Sequence, residues 1–413
     1  MNAATEDGGR PRAVLLTTHP GPTPRQRLLL AALSDLGCRT LTIGWDRSRS
    51  DPSPRRERDD LLTVGTRAPL GRPSLLLHHV LYRRALVRAL RDLVRAGDPP
   101  RLVVAGHLLH LPLASRFPDA VWIYDCAEFY TETLAEYLGP LRTMGRPLLR
   151  AWERRLLRPV TGVLAVDSET GWLERRLAAS GRPVLVVPNY PSRADDPPEF
   201  PPPFLHGAGV LAYAGGIQED KGLSVMLESL RRLRLRRPVR LLLVGTIAGS
   251  SDALRARVAS LGLAEAVEVH PPLPYPELVA FLAARTDVGL VLHQPRLLSY
   301  GFGARNGRKL FTYLQAGLAV LVPESTEIAR PVLEAEAGLA VRTDDPEAVA
   351  EALDVLLGDA EALVRRRRRA REAFLERYNW ERFAPTLDGW LRTILDLRSE
   401  DGRPLRTEAR RRG

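Results

Sequence analysis

The 413-residue sequence predicts an α/β protein of two doubly wound parallel-sheet domains, and three observations carry that expectation. Short, nearly unbroken apolar runs recur with helical stretches between them, as strands covered on both faces require. A proline-rich, acidic stretch near the middle interrupts the alternation, which then starts again. The length also exceeds what one core usually serves, so two domains of roughly 180 to 200 residues are expected.

The first apolar run, Ala13 to Thr18, ends in a Pro/Gly loop, and a helical pattern from Arg25 to Leu36 leads to a second run, Thr40 to Trp45. Strand, helix and strand at this spacing form the unit that a parallel crossover needs. Arg101 to Gly106, Val121 to Asp125, Gly162 to Asp167 and Val184 to Asn189 continue the pattern, which sets the first domain at 12–190. From 191 to 207 prolines and acids replace the apolar residues; such chain neither pairs in a sheet nor holds a helix, and it reads as a linker.

The second domain, 208–377, repeats the alternation through VLAYAGG, Val239 to Gly245, VEVH, DVGLVLH and Leu318 to Pro323, with helices from Leu223, near Leu254 and near Glu277. Five arginines, Arg365 to Arg369, lie on a helix and read as a solvated face. Residues 378–397 form an amphipathic terminal helix, expected to pack back toward the first domain, and 398–413 read as a disordered basic tail.

Sixty Lys and Arg against 49 Asp and Glu leave a formal charge of +11. That charge is spread over most helices, and with only 6% aromatic residues there is no basic-aromatic ladder, so nucleic acid is not an expected partner. Cys38 and Cys126, each beside an apolar run, read as core thiols in a reducing compartment, and two lone cysteines make no metal cluster. The opening MNAATEDGGRPR has no apolar signal core, and no stretch reaches the ~18 uncharged residues of a membrane span, so a cytoplasmic location is expected. The arginine-bearing helix Leu75 to Ala96 leaves peripheral contact with the inner face of a membrane open.

Only two of the sixty basic residues are lysine, Lys221 and Lys309. Lysine is a compact, mobile point charge where arginine is a wide planar fork, so a chain that otherwise uses arginine has a reason, or an accident, at these two positions. In YAGGIQEDKG a strand runs into Gly215 and Gly216, and Lys221-Gly222 then opens a helix. Glycines let backbone approach a ligand, free N–H groups face anions at a helix start, and the lysine adds a full charge, a combination that suits a diphosphate. About ninety residues on, SYGFGARNGRKLFTYLQAGLAVLVP joins a glycine-spaced loop to a short helix, a glycine stop and a strand.

These two segments, with RLLLVG, VWIYDCAEFY, VPNYP and YNWERF, resemble the GT-B glycosyltransferases of the large retaining family four, over roughly residues 12 to 395. The resemblance implies two Rossmann-like domains facing across a cleft, and transfer of a sugar from a nucleoside-diphosphate sugar to an acceptor hydroxyl with retention, with neither cofactor nor metal. It implies that Lys221 sits on the donor's β-phosphate, that Gly301 and Gly303 lend backbone N–H groups, and that Asn306, Arg308 and Lys309 reach the same site. Gly245 would end a strand under the nucleotide, and His293 would look into the donor pocket. Gly216 stands where the family usually has an arginine. Ala304 and Thr312 stand at its paired glutamates, leaving Thr312 to meet the ribose. These losses frame the alternative, a catalytically impaired GT-B protein that binds a nucleotide or a partner.

On the acceptor side, His107 takes the place of a family aspartate, and Glu128 keeps the acid of a histidine-glutamate pair. Either could contact an acceptor hydroxyl as a catalytic group, or Glu128 could cap or pair with an arginine. His19, Arg25 and Arg27, in the first loop, could hold an acceptor or be solvated, and Glu327 reads equally as a ligand or as a partner of its own helix dipole.

Overall fold

The structure, a computed structural model, describes residues 10–49, 51, 53–65, 75–136, 138–166, 171–197, 209–293, 308–324 and 326–396. The chain divides into two compact units: 1–166 with 172–187 and 384–413, and 167–171 with 188–383.

The first unit holds β1 (Arg12–Leu16), β2 (Arg39–Asp46), β3 (Pro54–Arg58), β4 (Leu61–Gly65), β5 (Pro100–Ala105), β6 (Val121–Cys126), β7 (Gly162–Ala165) and β8 (Val184–Val186). They form one sheet in the order β3-β4-β2-β1-β5-β6-β7-β8. Every pairing is parallel except β3 with β4, which is antiparallel. All six residues of β6 are buried, as a central strand covered on both faces demands. The β3–β4 hairpin is absent from the sequence reading. Its edge strand, PRRER, has no apolar residue besides proline to signal a strand, and its exposed charges guard the sheet edge against further pairing.

The second unit holds β9 (Gly209–Ala214), β10 (Val239–Val244), β11 (Val267–His270), β12 (Val288–Leu290), β13 (Ala319–Pro323) and β14 (Gly338–Val341), all parallel, in the order β11-β10-β9-β12-β13-β14. Two apolar cores cover the sheet. One is built on Leu211, Leu241 and Leu243 against Leu227 and Leu230, the other on Ala212 and Val320 against Phe311, Leu314 and Phe374. In both units the strand order reverses beside the first strand, between β1 and β5 and between β9 and β12, and ligands in open α/β sheets bind at the carboxyl ends flanking such a reversal.

Two sequence expectations are corrected. The stretch after Tyr190 is not free linker at its start. Ser192 donates to Glu381 at 2.5 Å, while the Asp196 carboxylate takes an ion pair from Arg371 and a 2.9 Å hydrogen bond from Gln315, all within the second unit. Residues 198–207 lie outside the described residues. The five-arginine run is not wholly solvated either. Helical periodicity turns its middle member inward, and Arg367, 2% exposed, pairs with the fully buried Asp287 at 2.9 Å and donates to the Gly317 carbonyl at 3.1 Å.

The terminal helix runs from Trp380 to Asp396. In its latter part, which belongs to the first unit, Trp390 and Ile394 lie within 3 Å of where a Cβ on Gly162 would stand, so β7 needs glycine there. The expected tail lies outside the described residues. Among those residues no helix is long and apolar enough to cross a membrane.

Candidate functional site

The carboxyl edge of the second sheet is assembled from three turns. After β9 the chain makes Gly215 at φ +136°, and after β10 it makes Gly245 at φ +148°, backbone that L side chains rarely adopt. A Cβ on Gly245 would stand 1.9 Å from the Gly215 carbonyl oxygen, so two backbones meet here with no room for a side chain. They are laced together: Gly215 N–H donates to the Val244 carbonyl at 2.9 Å, Ile217 to Thr246 at 2.8 Å, and Ala248 to Ile217 at 3.0 Å. The Tyr213 hydroxyl donates to the Gly216 carbonyl at 2.7 Å and fixes the first turn from below. Gly222, left-handed at φ +87°, then opens the helix Leu223–Leu233 directly after Lys221.

Over this platform lies Lys309, one residue into the helix Arg308–Gln315. Its ammonium is 3.4 Å from the Tyr213 ring centroid, and its Cε would touch a Cβ on Gly215 at 3.3 Å. Loss of hydration, then the nearby positive charge of Lys221, hold the Lys309 pKa well below the ordinary lysine value, with Asp220 opposing. His293, 9% exposed, follows β12; burial first and then Lys309 and Lys221 lower its pKa to about 3, so the ring is neutral. Its carbonyl takes the Thr343 hydroxyl at 2.6 Å, while its Nδ1 has no partner among the described residues. The two lysines of the chain and His293 are thus within electrostatic reach of one another at the ends of β9 and β12. Two lysine amines and a neutral imidazole beside glycine backbone can receive an anion, whose charge favours the protonated form of Lys309.

Arg308 lies flat on Tyr275, its guanidinium carbon 3.9 Å from the ring centroid, and its Nε has no partner among the described residues. Thr312 is placed differently from the sequence expectation. It is 3% exposed, and its hydroxyl is engaged by the Tyr275 hydroxyl at 3.0 Å and by the Arg308 carbonyl at 3.0 Å, so no free hydroxyl faces a ribose. Tyr275 also donates to Gln315 at 2.8 Å, which anchors the whole arrangement inside the unit. Gly301, Gly303, Ala304 and Asn306 lie outside the described residues, as does the side chain of Glu327.

The residues expected on the acceptor side gather at the carboxyl edge of the first sheet. His107 caps the 3₁₀ segment Leu108–Arg116, its Nδ1 accepting from Leu109 N–H at 3.1 Å. Its ring stacks on His79 at 4.9 Å and meets the edge of Tyr130 at 4.4 Å. Burial, then His110, His79, Arg47 and His19, hold its pKa well down, so it stands neutral. Glu128 lies two residues before Tyr130, exposed and with no ion pair among the described residues, while surrounding protein pushes its pKa up. Among the described residues no arginine pairs with Glu128.

Arg25 is already paired inside the first unit. Its guanidinium is paired with the buried Asp125 at 3.0 Å and donates to the Val187 carbonyl, so it clasps β6 to the end of β8. Arg27 is exposed on the helix Pro24–Asp35, whose start is closed by a capping box between Thr23 and Gln26, and His19 is exposed in the loop after β1. The sequence reading missed Arg47, His79 and Tyr275. The last two are separated from their partners by tens of residues, and nothing local marks them.

Residues 208–359 match the family described as Glycosyl transferases group 1. The D-inositol 3-phosphate glycosyltransferase of Nocardia farcinica is 31% identical over 192 residues, 45% of this chain and 40% of that protein. The enzyme of the same name from Corynebacterium urealyticum is 28% identical over 200 residues, 47% of this chain and 45% of that one. The matched part thus spans less than half the length of these curated relatives. Among solved structures, sucrose-phosphate synthase from Thermosynechococcus elongatus superposes with a TM-score of 0.70 at 17% identity, over 94% of this chain and all of that one. WaaG, a glycosyltransferase involved in lipopolysaccharide biosynthesis, gives 0.64 at 17% identity over 90% and 98%. Anabaena HepE, solved with UDP and glucose, gives 0.61 at 13% identity over 94% and 99%. At these identities the structures establish a shared fold, GT-B.

Proposed function

We propose that this chain is a glycosyltransferase, because residues 208–359 match the family described as Glycosyl transferases group 1 and the fold is GT-B. It takes a nucleoside-diphosphate sugar at the carboxyl edge of the second sheet and moves the sugar, with retention, to an acceptor hydroxyl held by the first unit. The observation that carries this reading is the convergence of Lys221, Lys309 and His293 on the Gly215–Gly245 platform. A diphosphate laid there meets glycine backbone and the amines of Lys221 and Lys309, whose mutual repulsion Asp220 offsets only in part. As the bond from sugar to diphosphate breaks, negative charge grows on the leaving oxygen, and Lys221 and Lys309 stabilise that growth. The departing diphosphate takes the acceptor's proton, so no metal and no cofactor enters the scheme. The relatives' printed name, a D-inositol 3-phosphate glycosyltransferase, supports a transferase that uses a small polar acceptor.

A second reading has one observation behind it: the Thr312 hydroxyl is consumed inside the unit, so the ribose loses an expected contact. In that reading the chain binds a nucleotide without transferring a sugar.

Calorimetry of UDP, GDP, dTDP and ADP against wild type and Lys221→Ala tests both. One nucleotide bound by wild type and weakened on the order of a hundredfold in the variant, as truncating a desolvated charge contact does, is expected. Binding of none removes the transferase reading. Binding with no turnover of the matching nucleotide sugar, toward any acceptor or water, favours the second.

A further inference from the structure

Two helices that pack on the 3₁₀ segment Leu108–Arg116 present opposite surfaces. The helix Leu75–Arg95 buries Tyr82, Leu86 and Leu90 and turns Arg84, Arg88 and Arg91 outward, as a helix between core and water does. The helix Arg142–Leu156 is built the other way round. Arg146 and Arg150 turn inward to Glu132, and Glu153, 2% exposed, turns inward to Arg176, with ion-pair distances of 2.8 to 2.9 Å. Residues 146, 150 and 153 recur at helical spacing, so charge occupies the face toward the protein.

Apolar residues are left on the other face. Leu141, 62% exposed just before the helix, and Met144 and Leu148, each 73% exposed, follow one another at steps of three and four. Leu138, 41% exposed, lies against Gly145, where a Cβ would collide with its side chain, and so extends the row. Four of the eleven large apolar side chains exposed among the described residues thus fall within 138–148. Single exposed apolar residues are ordinary on a protein surface, but a contiguous row marks a surface that meets something other than water.

The far end of the row says what that is. Arg155 stands two turns beyond Leu148 on the same face, with Arg154 beside it, and both are exposed with no carboxylate partner among the described residues. A bilayer with anionic headgroups meets both needs at once, phosphate for the guanidinium groups and, just beneath, acyl chain for leucine and methionine. A second copy docked through this face would bring the same uncompensated arginines, on a chain of formal charge +11, and the two would repel.

We propose that the outward row Leu138, Leu141, Met144 and Leu148, with Arg154 and Arg155, seats the first unit on an anionic lipid surface. The aliphatic side chains enter the outer acyl region, while the arginine stems lie along it and keep their charge among the headgroups. The contact needs neither donor nor acceptor, so it holds or fails apart from the transferase reading.

The full chain, without nucleotide, is sedimented with sucrose-loaded vesicles of equal parts phosphatidylglycerol and phosphatidylcholine, and separately with vesicles of phosphatidylcholine alone. Wild type binds the anionic vesicles, and added salt weakens the binding. The triple variant Leu141→Gln, Met144→Gln, Leu148→Gln loses affinity by about tenfold or more, and so does Arg154→Gln combined with Arg155→Gln. Leu235→Gln, which removes an 82% exposed leucine from the second unit, changes nothing. Without vesicles the triple variant melts at or above the wild-type temperature, since side chains that stand in water stabilise nothing there, and its nucleotide affinity is that of wild type. No sedimentation with anionic vesicles, equal binding to neutral ones, an equal loss in Leu235→Gln, or a melting temperature lowered in the triple variant would each overturn the lipid seat. So would a wild-type dimer that the triple variant converts to monomer, which would give the row to a second copy.

Discussion

The carboxyl edges of the two sheets solve opposite problems. At the second, glycine turns are pressed together until backbone touches backbone, and Lys309 lies over them against an aromatic ring, within the field of Lys221. At the first, the space is filled by rings: Trp45 stacks on Tyr82 at 4.7 Å, His79 and His107 lie face to face, and His110 closes the group against Tyr82 at 5.7 Å. One edge clears side chains away and concentrates charge; the other packs side chains in and leaves the Arg47 Nε without a partner among the described residues. On the proposed reading, the glycine platform with its two lysines serves a diphosphate. The similarity to the inositol-phosphate enzymes, for its part, rests on short alignments of less than half of either chain.

The largest effect that separates the two units comes from their buried arginines. Arg367→Ala strands Asp287, fully buried with its other oxygen accepting the Val210 N–H at 2.9 Å, and is expected to cost the second unit about 3 to 5 kcal/mol. Arg25→Ala strands Asp125 in the first unit but costs less, because the Arg25 side chain is 10% exposed and water reaches the gap more readily. Five tryptophans, Trp45, Trp122, Trp152, Trp172 and Trp390, belong to the first unit and only Trp380 to the second. Urea unfolding followed by fluorescence therefore reports the first unit, and circular dichroism reports both. Arg367→Ala should shift the circular dichroism curve and leave most of the fluorescence transition in place. Coincident curves in every variant would mean that the units unfold as one.

The histidine edge supplies the next effect, a pH dependence located in the first unit. Burial, then Arg47 and His78, lower His79 to about 4, and burial, then His79, lowers His110 to about 3, against 6.5 for free histidine. Below pH 6.5 the unfolded chain takes up protons that the folded rings refuse, so the stability these groups contribute at pH 7 is lost as pH falls from 6.5 toward 4. Glu153 acts in the other sense. Burial raises its pKa to about 7 and lifts that of Glu128 above the ordinary carboxylate value, so acid relieves strain at these two groups, against the several histidines. The fluorescence-detected melting temperature should drop by about 5 °C or more between pH 7 and pH 5, and His110→Phe should flatten the slope. A flat profile in wild type would show that the rings are hydrated.

Much of the architecture is legible in the sequence, because a strand covered on both faces must be apolar throughout. The runs at Ala13, Thr40, Val121 and Val239 announce themselves in that way. What escaped has physical reasons. PRRER pairs at a sheet edge, where burial leaves no signature. Arg367 hides in a row of identical residues, and only helical phase turns one of them inward. The donor platform could be suspected from glycines and scarce lysines, since backbone approach and point charge leave traces in single residues. Tyr275 could not, because its meaning lies in Thr312, 37 positions away.

That pair gives the smallest effect and the finest test of the donor edge. The Thr312 hydroxyl bridges the Tyr275 hydroxyl and the Arg308 carbonyl, so Thr312→Val removes hydrogen bonds while keeping the volume of the side chain nearly constant. Tyr275 retains Gln315 as a partner, which limits the loss to about 1 kcal/mol of stability in the second unit. If the hydroxyl serves only to hold Tyr275 under the Arg308 guanidinium, nucleotide affinity should change less than about threefold, which corresponds to well under 1 kcal/mol. A tenfold loss of nucleotide affinity with stability intact would instead put Thr312 on the ribose. The helix Arg308–Gln315 would then have to turn outward when the donor binds, giving the second edge a moving part that the first edge, locked by stacked rings, does not have.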